Sequence, residues 1–198
     1  MCSGANAKKL AVPNESKFIG KGVSYCAVCD GAFYKDKIVA VIGGGNTAVG
    51  DALYLAKFAK KVYLIHRRQE FRASKALLSA INDSNIQLLL DTIVVDIVGD
   101  ERVERLLLEN KVEHNQFDLV VDGVFVAIGQ NPESSFINDL EKDANGYILT
   151  DEDMKTNIDG VFCAGDVRAK KIRQVVTACA DGAIAGEMAS FYLSLLNR

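Results

Sequence analysis

The sequence predicts an α/β fold, and three neighbouring segments support that prediction. Residues 38–42, Ile-Val-Ala-Val-Ile, form a continuous run rich in β-branched side chains, which is typical of a strand buried on both faces. A glycine turn at 43–45 follows at once, and residues 47–60 then repeat apolar side chains at helical spacing. Because residues 62–65 form a second apolar run, we predict one complete strand, helix and strand unit.

Further elements follow this unit along the chain. Residues 71–82 predict a helix, and residues 86–90 predict another strand. The apolar runs at 92–98, 103–108 and 118–121 are separated by polar or glycine-containing breaks, so they predict an antiparallel meander.

The two ends of the chain have less regular patterns. Residues 1–22 are polar and predict a connecting segment, whereas 123–128 predict a last buried strand. The loop signal Gly-Gln-Asn-Pro at 129–132 ends that strand. After short apolar runs, a long helix is predicted from about Arg173 to Leu195.

Composition and charge exclude several classes of function. The chain has 49% hydrophobic and 25% charged residues, which is the composition of an ordinary globular protein. Its net charge of −3 gives no electrostatic reason to expect a nucleic acid or an anionic membrane as a partner. No apolar run approaches the roughly 20 residues that span a bilayer, and the first residues lack the apolar region of a signal peptide. We therefore expect a cytoplasmic protein.

Gly43, Gly45 and Ala48 have the spacing of a dinucleotide-binding turn between a strand and a helix. The first glycine permits the tight turn, the second lets the backbone approach a pyrophosphate, and the alanine lets the helix pack closely. The phosphates would meet the positive end of the helix. A glycine-rich turn without a ligand is the alternative, and the complete strand, helix and strand unit makes it less favourable.

A cluster of cationic side chains follows the second predicted strand, where the chain reads His66-Arg67-Arg68, with Arg72 one turn onward. NAD-binding units typically place an acidic residue there, against the ribose 2′-hydroxyl. Guanidinium groups instead bind a 2′-phosphate through charge-assisted hydrogen bonds. NADPH is therefore the predicted cofactor, and a solvated charged face is the alternative.

Cys26 and Cys29 form a C-x-x-C pair, which can bind a metal, form a reversible disulfide or fill space. Zinc needs about four ligands. The chain has no second C-x-x-C, and its only histidines are His66 and His114, so a metal site is disfavoured. A thiol pair beside a nicotinamide-binding unit suits two-electron transfer. Asp30 could supply or accept a proton as the disulfide opens, although it is also a common turn residue.

The other cysteines are not predicted to join this pair. Cys163 and Cys179 lie in apolar stretches and are expected to be small buried hydrophobic residues. Cys2 is too close to the terminus for its pattern to be informative.

Four spaced motifs together resemble the low-molecular-weight thioredoxin reductases of the bacterial type, which are class II pyridine nucleotide-disulphide oxidoreductases. The motifs are, in order, 26–31, 43–48, 66–73 and 161–167 with Arg173-Gln174. The resemblance covers essentially the whole chain and corresponds to the latter two-thirds of the chain in that family.

The resemblance implies an activity and a set of site residues. In that family, electrons pass from NADPH through FAD to an active-site disulfide, and the resulting dithiol reduces thioredoxin after the NADPH domain rotates. The implied redox pair is Cys26 and Cys29, with Asp30 as the assisting acid. The implied NADPH-binding residues are Gly43, Gly45, Asn46, Thr47, Ala48, His66, Arg67, Arg68 and Arg72. The implied FAD-binding residues are Gly165, Asp166, Arg173, Gln174 and Val175.

The resemblance also implies how the chain is organised. Residues 1–9 correspond to the end of a first FAD-domain segment, 10–124 to a Rossmann-like three-layer NADPH-binding domain, and 125–198 to the C-terminal segment of a partial FAD-binding domain. The family's first glycine fingerprint has no counterpart before Cys26, so we expect an N-terminally truncated chain or a fragment that binds NADPH but not FAD. Thioredoxin or a thioredoxin-like protein is the expected partner, and the full-length family implies a homodimer.

Two alternative functions stay open from the sequence. One is a related flavoprotein that reduces a peroxiredoxin partner. The other is an NADPH-binding module without catalysis. Flavin content of the purified chain would separate an enzyme from such a module.

Overall fold

The computed structural model describes residues 1–82 and 84–196, which divide into two compact units. The larger unit is Lys8–Gly129, and the smaller combines Met1–Ala7 with Gln130–Arg198. The strands, in chain order, are β1 (Ala5–Ala7), β2 (Val23–Ser24), β3 (Ile38–Ile42), β4 (Lys61–Ile65), β5 (Ile86–Leu89), β6 (Thr92–Val98), β7 (Arg105–Asn110), β8 (Asn115–Val120), β9 (Gly123–Val126) and β10 (Gln130–Pro132). The helices are α1 (Ala27–Asp30), α2 (Asn46–Leu55), α3 (Lys75–Asn82) and α4 (Val175–Leu196).

The larger unit is built on a five-stranded sheet in the order β2-β9-β3-β4-β5. Every neighbouring pair of these strands is parallel. Strands β6, β7 and β8 form a separate antiparallel sheet. The predicted α/β class and the predicted meander are therefore confirmed.

The parallel sheet separates two apolar cores. On one face, Ala40 and Ile42 of β3 belong to a core that includes Ile97 of the meander. On the other face, Val39 and Val41 belong to a core formed with helices α2 and α3. Apolar side chains thus cover both faces of β3, which is why its sequence is continuously apolar rather than alternating. Meander, sheet and helices make the three predicted layers.

Helix α2 ends at Leu55, earlier than the predicted end at residue 60. The backbone after Leu55 forms hydrogen bonds with the turn before β3. The amide of Asp36 donates to the carbonyl of Phe58 at 3.0 Å. The amide of Lys60 likewise donates to the carbonyl of Lys37 at 2.9 Å. The amide of Ala59 still donates to the carbonyl of Leu55 at 2.8 Å, but the Lys60 bond takes the place of a helical bond to Ala56 and leads the chain into β4.

The predicted boundary between the two units also needs correction. A division after residue 124 would cut β9, whose residues pair with β3 from Val39↔Gly123 to Ile42↔Val126. The structure instead divides the chain after Gly129. Residues 130–132, predicted as a loop, form β10 and pair antiparallel with β1, which lies in the segment predicted as a connection.

The smaller unit contains the long helix that the sequence predicts. Its core includes Leu140, Ile148, Cys163 and Val167. Asp181 is the buried residue of α4, whereas large apolar side chains of this helix are exposed. These exposed side chains are Val175, Val176, Ile184, Phe191, Leu193, Leu195 and Leu196. None of the helices in the described part of the chain combines the length and apolar character needed to cross a membrane.

A buried carboxylate organises the start of the larger unit. Glu15 is only 2% exposed, and its two oxygens accept the backbone N–H groups of Leu10 and Ala11, each at 2.9 Å. The hydroxyl of Tyr25 donates to the same carboxylate at 2.9 Å. Burial, together with this bond and the negative charge of Glu15, raises the pKa of Tyr25 to about 12.

We expect this bond to make stability pH-dependent in the alkaline range. The folded pKa of Tyr25 lies above its unfolded value of 10.0, so its contribution is fully present below that value and is lost as pH rises towards about 12. The difference in unfolding free energy between the native chain and Tyr25→Phe should therefore be constant below pH 10 and shrink above it. Denaturant titrations across this range measure the difference. Tyr54→Phe is the control, and an identical shrinkage there would contradict the assignment.

Candidate functional site

Cys26 and Cys29 are joined in a disulfide around the short helix α1, as the sequence predicts. Cys26 caps this helix, and its Sγ accepts the backbone N–H of Cys29 at 3.1 Å. Cys29 is exposed and Cys26 is half-buried. The pair is therefore accessible to a reductant and, once it has opened to two thiols, to a disulfide of another molecule.

The remaining three cysteines, Cys2, Cys163 and Cys179, are free thiols. Cys163 is buried, as predicted, and burial raises the pKa of its thiol to about 11. Cys179 is exposed, so the prediction that it is buried is wrong. It lies on α4, whose apolar side chains are largely exposed, and apolar neighbours in sequence do not by themselves bury a residue.

Asp30 lies at the end of α1, and one hydroxyl connects it to the disulfide segment. Ser24 donates to Asp30 Oδ2 at 2.6 Å, and the same Ser24 oxygen accepts the backbone N–H of Cys26 at 3.1 Å. Ser24 is only 5% exposed. The structure thus brings together the three residues predicted for catalysis and adds Ser24, which the sequence pattern does not distinguish from any other strand serine.

Apolar and charged side chains are exposed close to the disulfide in sequence. Val28, between the cysteines, is 60% exposed, and Phe33, in the 3₁₀ turn after α1, is 73% exposed. Phe33 also lines an open cleft of about 660 Å³. The other lining residues include three cations and three carboxylates, namely Lys21, Lys37, Arg102, Asp100, Glu101 and Asp122.

The glycine turn before α2 has two glycines that the fold requires and one that faces open space. Gly43 has φ +153°, and a Cβ there would overlap the carbonyl oxygen of Ala127. A Cβ on Gly44 would overlap the His66 ring. A Cβ on Gly45 would meet nothing within 4 Å. The backbone at Gly45 is therefore open to a ligand, which fits the predicted approach of a pyrophosphate.

The cationic loop after β4 is tied to this turn by two backbone bonds. The amide of Arg72 donates to the carbonyl of Gly44 at 2.8 Å, and the amide of Ser74 donates to Asn46 Oδ1 at 2.8 Å. These bonds delay the start of α3 to Lys75, whereas the sequence predicts a helix from residue 71. The side chain of Asn46, predicted to bind pyrophosphate, therefore has a tethering contact in the structure.

His66 lies under this loop rather than on its surface. It is 8% exposed, its Nε2 is 3.1 Å from the carbonyl oxygen of Glu70, and its ring stacks on Phe71. Burial lowers the pKa of His66 below its ordinary value; the Glu70 hydrogen bond opposes this effect, and the neighbouring arginines reinforce it. We therefore expect a neutral imidazole that supports the loop.

Three arginines, Arg67, Arg68 and Arg72, surround His66 and are exposed. Within residues 1–82 and 84–196, no carboxylate forms a salt bridge with any of them. Three guanidinium groups with no acidic partner in the described part of the chain, on a loop tied to an open glycine turn, fit an anionic ligand such as a 2′-phosphate.

The predicted FAD-binding residues lie in the smaller unit, where the structure brings Gly165, Asp166 and Arg173 together. Gly165 has φ +80°, a conformation that favours glycine. Arg173 Nε donates to the carbonyl of Asp166 at 3.3 Å. Asp166 Oδ1 is buried and has no hydrogen-bond partner among the described residues, although Lys170 Nζ lies 3.5 Å away. A buried acceptor of this kind fits a hydroxyl donor of a bound cofactor.

The two remaining predicted residues mark the start of α4. The backbone N–H of Gln174 donates to Thr177 Oγ1 at 3.2 Å. Val175, the first residue of the helix, is 81% exposed. Thr47 and Ala48 of the glycine motif lie in the first turn of α2, the former exposed and the latter buried.

Asp181 supports the Gly165 turn and was not predicted from the sequence. It accepts the backbone N–H of Gly165 at 3.1 Å, Arg168 Nη1 at 2.8 Å and Lys170 Nζ at 2.9 Å. Burial alone would raise the pKa of Asp181, but the Lys170 hydrogen bond, the Arg168 charge and the Gly165 amide lower it overall. Helix α4 has only two carboxylates in a mostly apolar sequence, Asp181 and Glu187, and nothing in that pattern marks Asp181 as the buried one.

Comparisons with known proteins agree with the four motifs. The profile of the pyridine nucleotide-disulphide oxidoreductase family matches residues 1–182. A thioredoxin reductase of Peptoclostridium litorale is 45% identical over 204 residues, covering 99% of this chain and 65% of the relative. A thioredoxin reductase of Treponema pallidum is 42% identical, covering 99% of this chain and 64% of the relative.

Solved structures give the same result. The crystal structure of thioredoxin reductase from Streptococcus pyogenes has a TM-score of 0.91 and 44% identity, covering 98% of this chain and 64% of that one. The predicted resemblance is therefore confirmed. The chain spans less than two thirds of the length of these relatives.

Proposed function

This chain belongs to the pyridine nucleotide-disulphide oxidoreductase family, and from that premise we propose that it is an NADPH-dependent flavoprotein disulfide reductase that reduces thioredoxin. The observation that supports this most directly is the accessible Cys26–Cys29 disulfide beside Asp30. A pair of this kind can alternate between disulfide and dithiol, which a structural disulfide buried in a core cannot do.

The chemistry at the cysteines balances with two electrons and two protons. Opening the disulfide breaks its S–S bond and leaves two thiols. A thiolate of the pair then attacks the thioredoxin disulfide to form a mixed disulfide, and the second cysteine displaces reduced thioredoxin while the Cys26–Cys29 bond re-forms. We propose that Asp30 supplies a proton to the sulfur that leaves when the bond opens.

NADPH binding is proposed for the glycine turn and the loop tied to it. The open backbone at Gly45 and the first turn of α2 would hold the pyrophosphate, where amide donors and the helix dipole favour negative charge. Arg67, Arg68 and Arg72 would hold the 2′-phosphate. The neutral, buried His66 would support these arginines from below.

The smaller unit is proposed to supply part of the FAD site of the family, with Gly165, Asp166, Arg173, Gln174 and Val175 as the contributing residues. The buried Asp166 oxygen would accept a cofactor hydroxyl, and Arg173 is already oriented over the Tyr147 ring at 3.8 Å. When bound, a flavin supplies two-electron transfer between the nicotinamide and the disulfide.

A protein rather than a small disulfide is the proposed partner. Val28 and Phe33 expose apolar surface beside the disulfide, and the neighbouring cleft offers charges of both signs. Such a surface suits a folded protein that presents both apolar and charged groups. As the family resemblance implies, we also propose a homodimer. The cytoplasm, expected from the sequence, is its proposed location.

A disulfide-trapping experiment tests the partner. Cys26→Ser and Cys29→Ser are each made in a chain whose exposed Cys2 and Cys179 are already serine. The one thiol that remains in the pair is converted to a mixed disulfide with thionitrobenzoate. This protein is then mixed with a thioredoxin variant that keeps only its attacking cysteine. We expect at least one variant to release thionitrobenzoate about a hundredfold faster with thioredoxin than with glutathione, because docking raises the effective concentration of the thiol.

The exposed ring of Phe33 tests whether docking, rather than thiol reactivity, sets the rate with thioredoxin. Phe33→Ser should slow the reaction with thioredoxin about tenfold and leave the reaction with glutathione unchanged. Phe136→Ser, which removes a similarly exposed ring from the smaller unit, should change neither rate. Equal rates with thioredoxin and glutathione for both cysteine variants would contradict the proposed partner.

A further inference from the structure

The hydroxyl of Ser24 has three polar neighbours in a buried position. Its oxygen lies 2.6 Å from Asp30 Oδ2 and 3.3 Å from the carbonyl oxygen of Cys26, and it accepts the Cys26 amide at 3.1 Å. A serine hydroxyl has one proton to donate and two lone pairs to accept with. It can therefore donate to Asp30 or to the Cys26 carbonyl, but not fully to both.

Both arrangements leave Asp30 Oδ2, the Cys26 amide and the Cys26 carbonyl with a hydrogen-bond partner, because that carbonyl also accepts the Asp30 amide at 3.1 Å. When Asp30 is ionised, the Ser24 proton points to the carboxylate at 2.6 Å. When Asp30 carries a proton, its hydroxyl donates to Ser24 Oγ, and the Ser24 proton turns to the Cys26 carbonyl. The Cys26 amide stays bound in both cases. Because Ser24 is 5% exposed, water does not readily replace it.

We infer that Ser24 is the positioning residue for Asp30, linking its carboxyl group to the backbone of Cys26 in both protonation states of Asp30. The inference rests on the proposed role of Asp30 as the proton donor. Ser24 itself exchanges no bond with the sulfurs. It acts by keeping the donor oriented before and after the proton has left.

The step concerned can be followed without any cofactor by using dithiothreitol as the reductant. A dithiothreitol thiolate attacks one sulfur of the Cys26–Cys29 disulfide, a mixed disulfide forms, and the leaving sulfur takes its proton from Asp30. The second dithiothreitol thiol then displaces the protein sulfur. The products are the protein dithiol and cyclic dithiothreitol disulfide, and solvent reprotonates Asp30.

The experiment measures the rate of this opening in the 198-residue chain with Cys2 and Cys179 replaced by serine. Samples are quenched in acid, the thiols are labelled, and the labelled peptide is counted by mass spectrometry. We expect Asp30→Ala to be about a hundredfold slower than the parent, and Ser24→Ala about tenfold slower. Ser24→Thr, which retains the hydroxyl, should recover most of the rate, whereas Ser24→Val should not.

The double variant decides whether Ser24 acts through Asp30. Ser24→Ala combined with Asp30→Ala should be no slower than Asp30→Ala alone. A double variant about tenfold slower than Asp30→Ala would overturn the inference, because it would show an independent structural effect. If Ser24→Ala does not fold, the same cycle is run with the Thr and Val variants, which differ by a hydroxyl and a methyl group.

Two further outcomes show whether the role of Ser24 fails alone or together with the proposed role of Asp30. If the disulfide opens slowly in Asp30→Ala but at the parental rate in Ser24→Ala, the role of Asp30 stands and the role of Ser24 is overturned. A parental rate for Asp30→Ala would overturn both. Ser194→Ala, on the exposed part of α4, is the matched control and should not change the rate.

Discussion

Replacing both Arg67 and Arg68 with alanine is expected to reduce the preference for NADPH over NADH roughly a hundredfold. Charge-assisted hydrogen bonds contribute about 1.5 to 3 kcal/mol each, and the lower value applies here because both side chains are exposed and screened by solvent. Two such bonds give about 3 kcal/mol, which corresponds to about two decades in affinity. The affinity for NADPH should decrease and the affinity for NADH should stay the same, since NADH lacks the 2′-phosphate.

Calorimetric titration of each nucleotide at low and moderate salt measures this preference. The double substitution should reduce the NADPH preference less at higher salt, because salt screens an exposed phosphate contact. Arg102→Ala, which removes an exposed arginine from the cleft near Phe33, should leave the preference unchanged. Equal affinities for NADPH and NADH in the native chain would exclude the proposed 2′-phosphate site.

Alanine at Gly43 and at Gly45 should have opposite consequences. At Gly43 the new Cβ would overlap the carbonyl of Ala127 in a backbone conformation that favours glycine, so we expect a loss of about 3 kcal/mol in the stability of the larger unit. At Gly45 the Cβ meets open space, so the fold should be retained. The same methyl group would stand where a pyrophosphate approaches, and NADPH affinity should fall roughly tenfold.

Unfolding by urea and nucleotide titration of the two variants test this contrast together. Gly50→Ala, a change on α2 that also meets open space, is the control for helix propensity. If Gly45→Ala binds NADPH as tightly as the native chain, the pyrophosphate does not lie against that backbone. If Gly43→Ala is as stable as the native chain, the close contact with Ala127 does not limit the turn.

Local patterns predict the parts of this structure that local forces determine. The continuous apolar run of β3 predicts a strand covered on both faces, and the strand is covered on both faces. The C-x-x-C spacing permits a disulfide, and the disulfide between Cys26 and Cys29 is present. Each of these features depends on residues within one short segment.

Contacts between distant segments are not visible in such patterns. The Asn46 side chain binds the amide of Ser74, and this bond both gives Asn46 a tethering contact and shortens α3. The burial of His66 depends on space that Gly44 leaves, which no periodicity reveals. Ser24 is likewise distinguished only by its contacts with Asp30 and Cys26.

The position of β9 has a consequence for how the chain folds. This strand lies between β2 and β3, so β2 has no neighbour in the sheet until Gly123–Val126 has arrived. The pairing Val23↔Val124 joins residues roughly a hundred positions apart, and closing a loop of that length carries a large entropic cost before its contacts form. We therefore expect β3, α2 and β4 to assemble first, and insertion of β9 to be the late, rate-limiting step. During synthesis, the segment that carries the disulfide would then lack its place in the sheet until that strand has left the ribosome.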